Sequence, residues 1–375
     1  MASKKQITLQ IPALMAVLKK AKEVMVANPP LEILENVLFN INGNKVQIVG
    51  TDTMVTIIGN LEGINISELP GTSDHEKGFS FLLPFEFLQK HCALITTDSL
   101  TIEVVQLKKQ INAVLTAYHD TTKIESLANV GEFPKVPEFP NTNSIGISGE
   151  FIDWLNVATH TVAIGGKSEA MEKIYLGIDT NTIKVASCNT AVLMEKTFAT
   201  ESSSHKVDML ISTKIAKALA GFEQTTISWS DSHIAFVSSD ITLIGRLQDQ
   251  KYPNYRSIFP VESSANLSLL HSDLTTAMKK VGLTKFETRI YLKKQKGMMV
   301  LESDDTEYSR MITVQIPCEY SGDVDTVCLL PAQMLKLLGQ VKYVSLALSV
   351  TSPTRAVVVT SPSDDSYRAL IMPTK

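Results

Sequence analysis

Stretches with apolar residues every three or four positions give way to stretches in which apolar and polar residues alternate, and this succession occurs three times. The clearest copy of the alternating part is Ile174–Met194, IYLGIDTNTIKVASCNTAVLM. Degraded copies are Val37–Ile57, VLFNINGNKVQIVGTDTMVTI, and Ile290–Arg310, IYLKKQKGMMVLESDDTEYSR. Each reads as strand, tight turn, strand and turn, and the first two copies also begin a third strand. Each follows a helix-like stretch. One module used three times builds a scaffold or a ring more often than an active site.

The helical period predicts a first helix over Pro12–Met25, with Leu14, Val17, Leu18, Ala21 and Met25 on one face and Pro12 near its start. Its copies are Gly149–Ala163 and Ser272–Val281, the latter capped by Ser272 or Asp273. A second helix recurs in each unit. Leu82–Ile95 and Leu329–Val341 both begin Leu-Leu-Pro, and in Ile211–Phe222 the cap falls to Ser212 or Thr213.

Alternation predicts strands at Val46–Val49, Thr51–Ile58, Glu103–Gln110, Ile227–Val237, Ile241–Leu247, Val341–Thr351 and Arg355–Ser361, with a turn at Asn42-Gly43-Asn44. Proline-bearing connectors at Glu132–Thr142 and Tyr252–Ser263 divide the chain into residues 1–141, 142–260 and 261–375. The fold class is therefore α+β: three tandem domains, each with two helices against antiparallel sheets. A row of such domains leaves sheet edges at both ends, which head-to-tail pairing with a second copy would close.

Composition narrows the function classes. The 375 residues are 44% apolar with a formal charge of −4, so the chain as a whole is no basic nucleic-acid binder. The four scattered cysteines form no CxxC pair, which argues against zinc and for a reducing compartment. The start MASKKQITLQI lacks a secretory apolar core and no apolar run is long enough for a bilayer, so the expectation is a cytoplasmic protein without membrane contact.

Positive charge nevertheless gathers on the predicted helices: Lys19, Lys20, Lys22, Lys90, Lys214, Lys217, Lys279, Lys280 and Lys336. If the helices line one face of a closed assembly, that face holds phosphates without reading bases. The bland alternative is an ordinary solvated helix face, diluted by Glu23 and Glu86, and the helix at Gly149 has no lysine at all.

Catalytic patterns are missing. The seven histidines form neither HExxH nor HxH, and Ile164-Gly165-Gly166-Lys167-Ser168 lacks the phosphate-loop spacing. Ser303-Asp304-Asp305 and Ser363-Asp364-Asp365 read as solvated turns, and Thr51-Asp52 as a turn closure. No cofactor or metal is expected.

The triplicate pattern, with Ile244–Pro260 (IGRLQDQKYPNYRSIFP) and Tyr367–Lys375 (YRALIMPTK), resembles the bacterial sliding clamps, the beta subunits of DNA polymerase III, over essentially the whole chain. The resemblance implies a head-to-tail homodimeric ring around double-stranded DNA, without sequence preference or catalysis. It also implies a cleft between domains two and three that takes short linear motifs of the replicative polymerase and the clamp loader. The matching positions are Leu155, Ser187, Asn189, Thr190, Ala191, Val192, Tyr252, Pro253, Ser257, Ile258, Phe286, Leu370, Ile371, Met372 and Pro373.

The chain departs from the family where Ser187–Val192, SCNTAV, replaces a run with histidine and arginine, and where Ser257 replaces a second arginine. A less basic, wider cleft with altered polar flanks is expected. From the residues alone, Leu155 and Val192 serve equally as core, and Tyr255-Arg256 as a brace for the domain joint. The alternative function is a non-enzymatic repeat scaffold that binds proteins without encircling DNA.

Overall fold

The computed structural model describes residues 3–63, 65–68, 78–107, 110–125, 127–137, 144–165, 168–200, 206–284, 290–295, 297–305, 309–322, 324 and 326–374. Of residues 3, 65–68, 106–107, 110 and 290–295 it describes the backbone.

The element order repeats three times. The first set is β1 (Ser3–Gln10), α1 (Ile11–Val24), β2 (Asn36–Asn42), β3 (Lys45–Thr51), β4 (Val55–Glu62), β5 (Asn65–Glu68), β6 (Phe79–Pro84), α2 (Phe85–Leu94), β7 (Ser99–Leu107), β8 (Gln110–Ala117) and β9 (Asp120–Ile124). The second is β10 (Ser144–Ile147), α3 (Gly149–Ala158), β11 (Lys173–Asp179), β12 (Thr182–Cys188), β13 (Val192–Ala199), β14 (Val207–Ser212), α4 (Thr213–Ala218), β15 (Thr225–Trp229), β16 (His233–Ser238) and β17 (Ile241–Arg246). The third is β18 (Ala265–Leu270), α5 (His271–Val281), β19 (Ile290–Gln295), β20 (Met298–Asp305), β21 (Arg310–Pro317), β22 (Glu319–Gly322), β23 (Cys328–Leu329), α6 (Pro331–Leu338), β24 (Ser345–Val350), β25 (Val357–Ser361) and β26 (Asp364–Ile371).

All six expected helices are present, with shifted ends. The copy at Gly149 stops at Ala158 rather than Ala163, because Thr159, His160 and Thr161 close tight turns onto Asn156, Val157 and Ala158. The helix at Ser272 begins one residue earlier, and neither Ser272 nor Asp273 caps it. In α4 the Ser212 hydroxyl does take up the Ile215 amide at 3.3 Å. The long strand expected at Ile227–Val237 is two strands, β15 and β16, broken by a turn in which Ser230 and His233 bond each other. The strand expected at Glu103–Gln110 begins earlier, at Ser99, and Gln110 opens the next strand.

The chain forms two compact units, residues 1–148 with 217–246, and 149–216 with 247–375. The middle set of elements is thus shared between them. In the first unit the sheets run β5-β1-β7-β8-β9 and β10-β15-β16-β17-β4-β3-β2-β6. In the second they run β14-β11-β12-β13-β26-β25-β24-β18-β22 and β21-β20-β19-β23. Each unit contains one seam at which strands of successive sets pair antiparallel. In the first unit β17 pairs β4, with Leu243 opposite Ile57; in the second β13 pairs β26, with Met194 opposite Ala369.

The first core shows why these residues fold this way. Ile7 and Leu9 of β1, Phe39 of β2, Ile48 of β3 and Leu115 of β8 are buried together with Leu14, Val17 and Leu18 of α1. Alternation supplies the strand faces and the helical period supplies the stripe that covers them. Helix α1 lies so close on β4 that a Cβ at Gly59 would come within 2.3 Å of the Val17 side chain. The expected Asn42-Gly43-Asn44 turn is a two-residue hairpin loop with Gly43 at φ +56°, a backbone conformation that favours glycine.

Candidate functional site

The seam between β13 and β26 is the best-built polar feature of the second unit. Four residues, Asn189 to Val192, close the hairpin between β12 and β13. The Asn189 side-chain oxygen accepts the amides of Ala191 and Val192, both at 2.8 Å, which fixes the loop without glycine. The Met372 amide then donates to the Ala191 carbonyl at 2.8 Å, so the C-terminal strand holds the loop from the other side. The first unit repeats the device: Asp52 accepts Met54 and Val55, and the Arg246 amide donates to the Met54 carbonyl at 2.9 Å.

The connector after β17 is laid over this sheet by three tyrosines. Tyr252 and Tyr255 pack against Tyr175 of β11, with ring centroids 5.4 and 5.6 Å away. The Tyr252 hydroxyl donates to the Cys188 sulfur at 3.2 Å, and that of Tyr255 to Glu195 at 2.5 Å. Glu195 is buried, and its second oxygen accepts from Arg368 Nε at 2.7 Å. The guanidinium of Arg368 in turn lies 3.9 Å from the Phe259 ring centroid. Burial, reinforced by these acceptors, pushes all three tyrosine hydroxyls well above their ordinary range, so they remain donors at any physiological pH.

Fixing the connector leaves an open groove of ≈ 530 Å³. Its apolar wall is Ile258, Phe259, Val261, Ala356 and Met372, and its polar wall Ser257, Glu262, Thr354 and Arg355. Ile258 is 50% exposed and Met372 39%, the profile of side chains available to a ligand.

The expected cleft residues divide into three groups. Ser257, Ile258 and Met372 line the groove. Leu155, Ser187, Val192, Leu370 and Ile371 are buried, Ser187 bonding the Thr161 hydroxyl, and Tyr252 is buried but for an edge that lines the cavity beside Pro253. Asn189, Ala191 and Pro373 are half-buried and Thr190 is exposed at the loop, while Pro253 lines a separate cavity with Tyr175, Asp208 and Arg256. Phe286 lies outside the described residues. Glu262 and Arg355 went unforeseen; the Ser352-Pro353 break between the last predicted strands was the available signal.

A sequence profile described as DNA polymerase III beta subunit, N-terminal domain, matches residues 5–137. The curated "Beta sliding clamp" of Streptomyces coelicolor is 24% identical over 172 residues, 43% of this chain and 46% of that protein, so this alignment spans less than half of the relative. The "Beta sliding clamp" of Pseudomonas putida is 20% identical over 379 residues, covering 98% of each chain. The crystal structure of the DNA polymerase III subunit beta from Pseudomonas aeruginosa superposes with a TM-score of 0.88 at 18% identity, over 99% of this chain and 100% of that one. Over residues 5–137 the chain matches the N-terminal domain of the clamp subunit, and its whole length has the sliding-clamp fold.

The helix lysines are not equivalent. Lys19, Lys22, Lys217, Lys279, Lys280 and Lys336 are exposed. Lys90 is exposed but paired with Glu86 at 2.5 Å, and Lys214 is half-buried. Lys20 departs from the expected solvent-facing set: its ammonium bonds the Ala220 carbonyl after α4 and lies 5.1 Å over the Phe222 ring. Partial burial lowers its pKa, which Glu23 partly restores.

The first acidic cluster is not the solvated turn expected, and the second is one only in part, at the exposed turn residue Ser363 and the exposed Asp365. Ser303 is fully buried in β20 and shares a hydroxyl hydrogen bond with Thr284, while Asp305 is buried at the strand end. Asp364 opens β26 and accepts from Lys196 at 2.8 Å and Tyr343 at 2.6 Å. Thr51-Asp52 does close a turn. Among the described residues no group of three or more His, Cys, Asp and Glu could hold a metal ion, and no helix is long and apolar enough to cross a membrane.

Proposed function

We propose that the chain is a non-catalytic, cofactor-free DNA sliding clamp of the cytoplasm. Its three domains are residues 1–141, 142–260 and 261–375, and two copies join head to tail around double-stranded DNA. The exposed helix lysines hold phosphates weakly and without base readout, which permits sliding. The groove of Ile258 and Met372 receives short apolar-anchored motifs of the replicative polymerase and the clamp loader.

The observation that carries this reading is a pair of unmatched edges. Within the chain, the fourth strand of the first set, β4, pairs the last strand of the second, β17. The corresponding β13 of the second set pairs the last strand of the third, β26. By the same rule β21 of the third set calls for the last strand of a first set, β9. Among the described residues both are sheet edges, β9 bonded to β8 and β21 to β20. A second copy supplies each missing partner, and two such seams close a ring.

The register follows from the internal seams. Ile57, Met194 and Ile312 sit opposite Gly50, Ser187 and Ser303 in equivalent hairpins. Leu243, Ala369 and Thr122 hold the matching place in the three closing strands. Thr122 of one copy therefore faces Ile312 of the other. Cysteines at these two positions should crosslink between copies in a protein of twice the monomer mass. The loaded protein should stay on closed circular DNA and leave when the circle is cut. Retention on linear DNA with free ends, or a monomer without crosslinks, would favour a scaffold that never encircles DNA.

A further inference from the structure

The contact made by Lys20 inside the first unit has a counterpart waiting in the third set of elements. Helices α1 and α5 start in the same way, the Ile11 amide bonding the Asp98 carbonyl and the His271 amide the Val344 carbonyl. Their buried positions then coincide: Leu14, Val17, Leu18 and Ala21 in one, Leu274, Ala277, Met278 and Val281 in the other. Leu18-Lys19-Lys20-Ala21 thus superimposes on Met278-Lys279-Lys280-Val281, and Lys280 is the equivalent of Lys20.

At the first seam Lys20 closes the carbonyl end of α4. A helix ends in carbonyls without intrahelical donors and with partial negative charge, so an ammonium there is favourable. The stem and charge of Lys20 also cover Phe222, which is buried beneath them. At the second seam the equivalent residue is Ala158, also buried, so that joint uses packing in place of charge. At the third place the elements that correspond to α1 and α4 are α5 and α2. Lys280 is exposed on α5, and Leu94 at the carbonyl end of α2 is 83% exposed. Ile95, whose amide bonds the Cys92 carbonyl as that of Phe222 bonds Leu219, holds the place of Phe222, and Leu94 beside it leaves apolar surface uncovered at this helix end.

We infer that Lys280 is an intersubunit latch rather than a phosphate contact: in the head-to-tail dimer it caps the carbonyl end of α2 of the second copy and lays its stem over Leu94. The inference rests on the dimer reading above and adds to it the residue that makes closure sensitive to charge. Lys279, one position before it and the equivalent of the exposed Lys19, keeps the role of a solvent-facing cation. Two equivalent interfaces per ring double the effect of each substitution on dimerisation.

The test compares the dimer dissociation constants of the full-length wild type, Lys280→Ala, Lys279→Ala and Leu94→Ala by sedimentation equilibrium at low and high salt. Lys280→Ala should weaken the dimer roughly tenfold, about half of that at each interface on a logarithmic scale. The loss should shrink at high salt, and Lys279→Ala should stay within about twofold of wild type. Combining Lys280→Ala with Leu94→Ala should cost less than the sum of the two, since they share one contact. Unchanged dimerisation of Lys280→Ala, or an equal loss in Lys279→Ala, overturns the latch. If the Thr122–Ile312 cysteine pair crosslinks while Lys280→Ala behaves as wild type, the latch alone falls. If wild type is monomeric and the pair does not crosslink, the dimer falls with it.

Discussion

The Tyr255 hydroxyl donates to Glu195 at 2.5 Å, tying the connector after β17 to strand β13. Glu195 is buried at the seam with β26, where its other oxygen is held by Arg368. A carboxylate removed from water needs such donors on both oxygens, since an unsatisfied one costs more than a hydrogen bond gains. The three-residue link therefore fixes two things at once, the pairing of β13 with β26 and the height of the connector that carries Ser257 and Ile258.

Tyr255→Phe removes one donor and leaves the ring in place. It should lower the unfolding free energy by about 1–2 kcal/mol, the cost of a hydrogen bond to a buried charged group. Chemical denaturation measures this directly. Since the groove wall hangs on the same turn, affinity for a clamp-binding peptide should fall several-fold. A variant as stable as wild type would mean that Glu195 finds its second donor elsewhere.

Lys196 is 7% exposed in its side chain and is held between Glu150 at 2.5 Å and Asp364 at 2.8 Å, over the Trp154 ring. Partial burial raises the Asp364 pKa, but hydrogen bonds from Lys196, Ser366 and Tyr343 outweigh it and hold the carboxyl below its ordinary 3.8. A carboxyl with a lowered folded pKa stabilises fully above its unfolded value and loses that contribution as pH falls through the folded one. Asp364→Asn should thus destabilise the protein by about 1–3 kcal/mol at neutral pH. The gap to wild type should close as pH drops below about 4. Unfolding curves across this range, parallel at every pH, would refute the assignment.

Ile258 and Met372 meet in the groove from the connector and the C-terminal segment. Alanine at either position removes exposed apolar surface without touching the core, so stability and dimer mass should hold. Peptide affinity should drop about tenfold for each, as for an anchor contact of ordinary strength. Fluorescence anisotropy with a labelled peptide gives the values. Pro373→Ala, at a half-buried residue outside the groove lining, should have the smaller effect.

Much of this was readable from the residues. The helical stripe of α1 and the alternation in β2 and β3 are local signals, and each element formed close to where its period placed it. What could not be read is which strand meets which across the repeats. Nothing local to Met194 names Ala369 as its partner, so the seams, and with them the places of β9 and β21 at sheet edges among the described residues, appear only once the chain is folded. The same limit explains the cleft. Leu155 and Val192 were named with Ile258 and Met372, but an apolar residue on a helix or strand carries no mark of whether its face is inside, and two of the four proved to be core. Lys20 and Lys280 likewise look alike as sequence, and only the fold shows that Lys20 bonds the Ala220 carbonyl while Lys280 is exposed.

Charge reversal of Lys19, Lys22 and Lys279 tests the DNA-facing surface apart from the dimer. All three are exposed, and none is the equivalent of Lys20. Each phosphate neutralised releases a condensed counterion, so binding weakens with salt in proportion to the number of contacts. Glutamate at the three positions should leave the dimer mass unchanged and shorten the time spent on circular DNA. The slope of log affinity against log salt should fall by about three contacts' worth, each near 0.9. Lys90→Glu is the control, because Lys90 already pairs with Glu86 and offers less charge to a phosphate. An unchanged salt slope in the triple variant would show that these lysines face solvent only, and that DNA is held by the ring's closure alone.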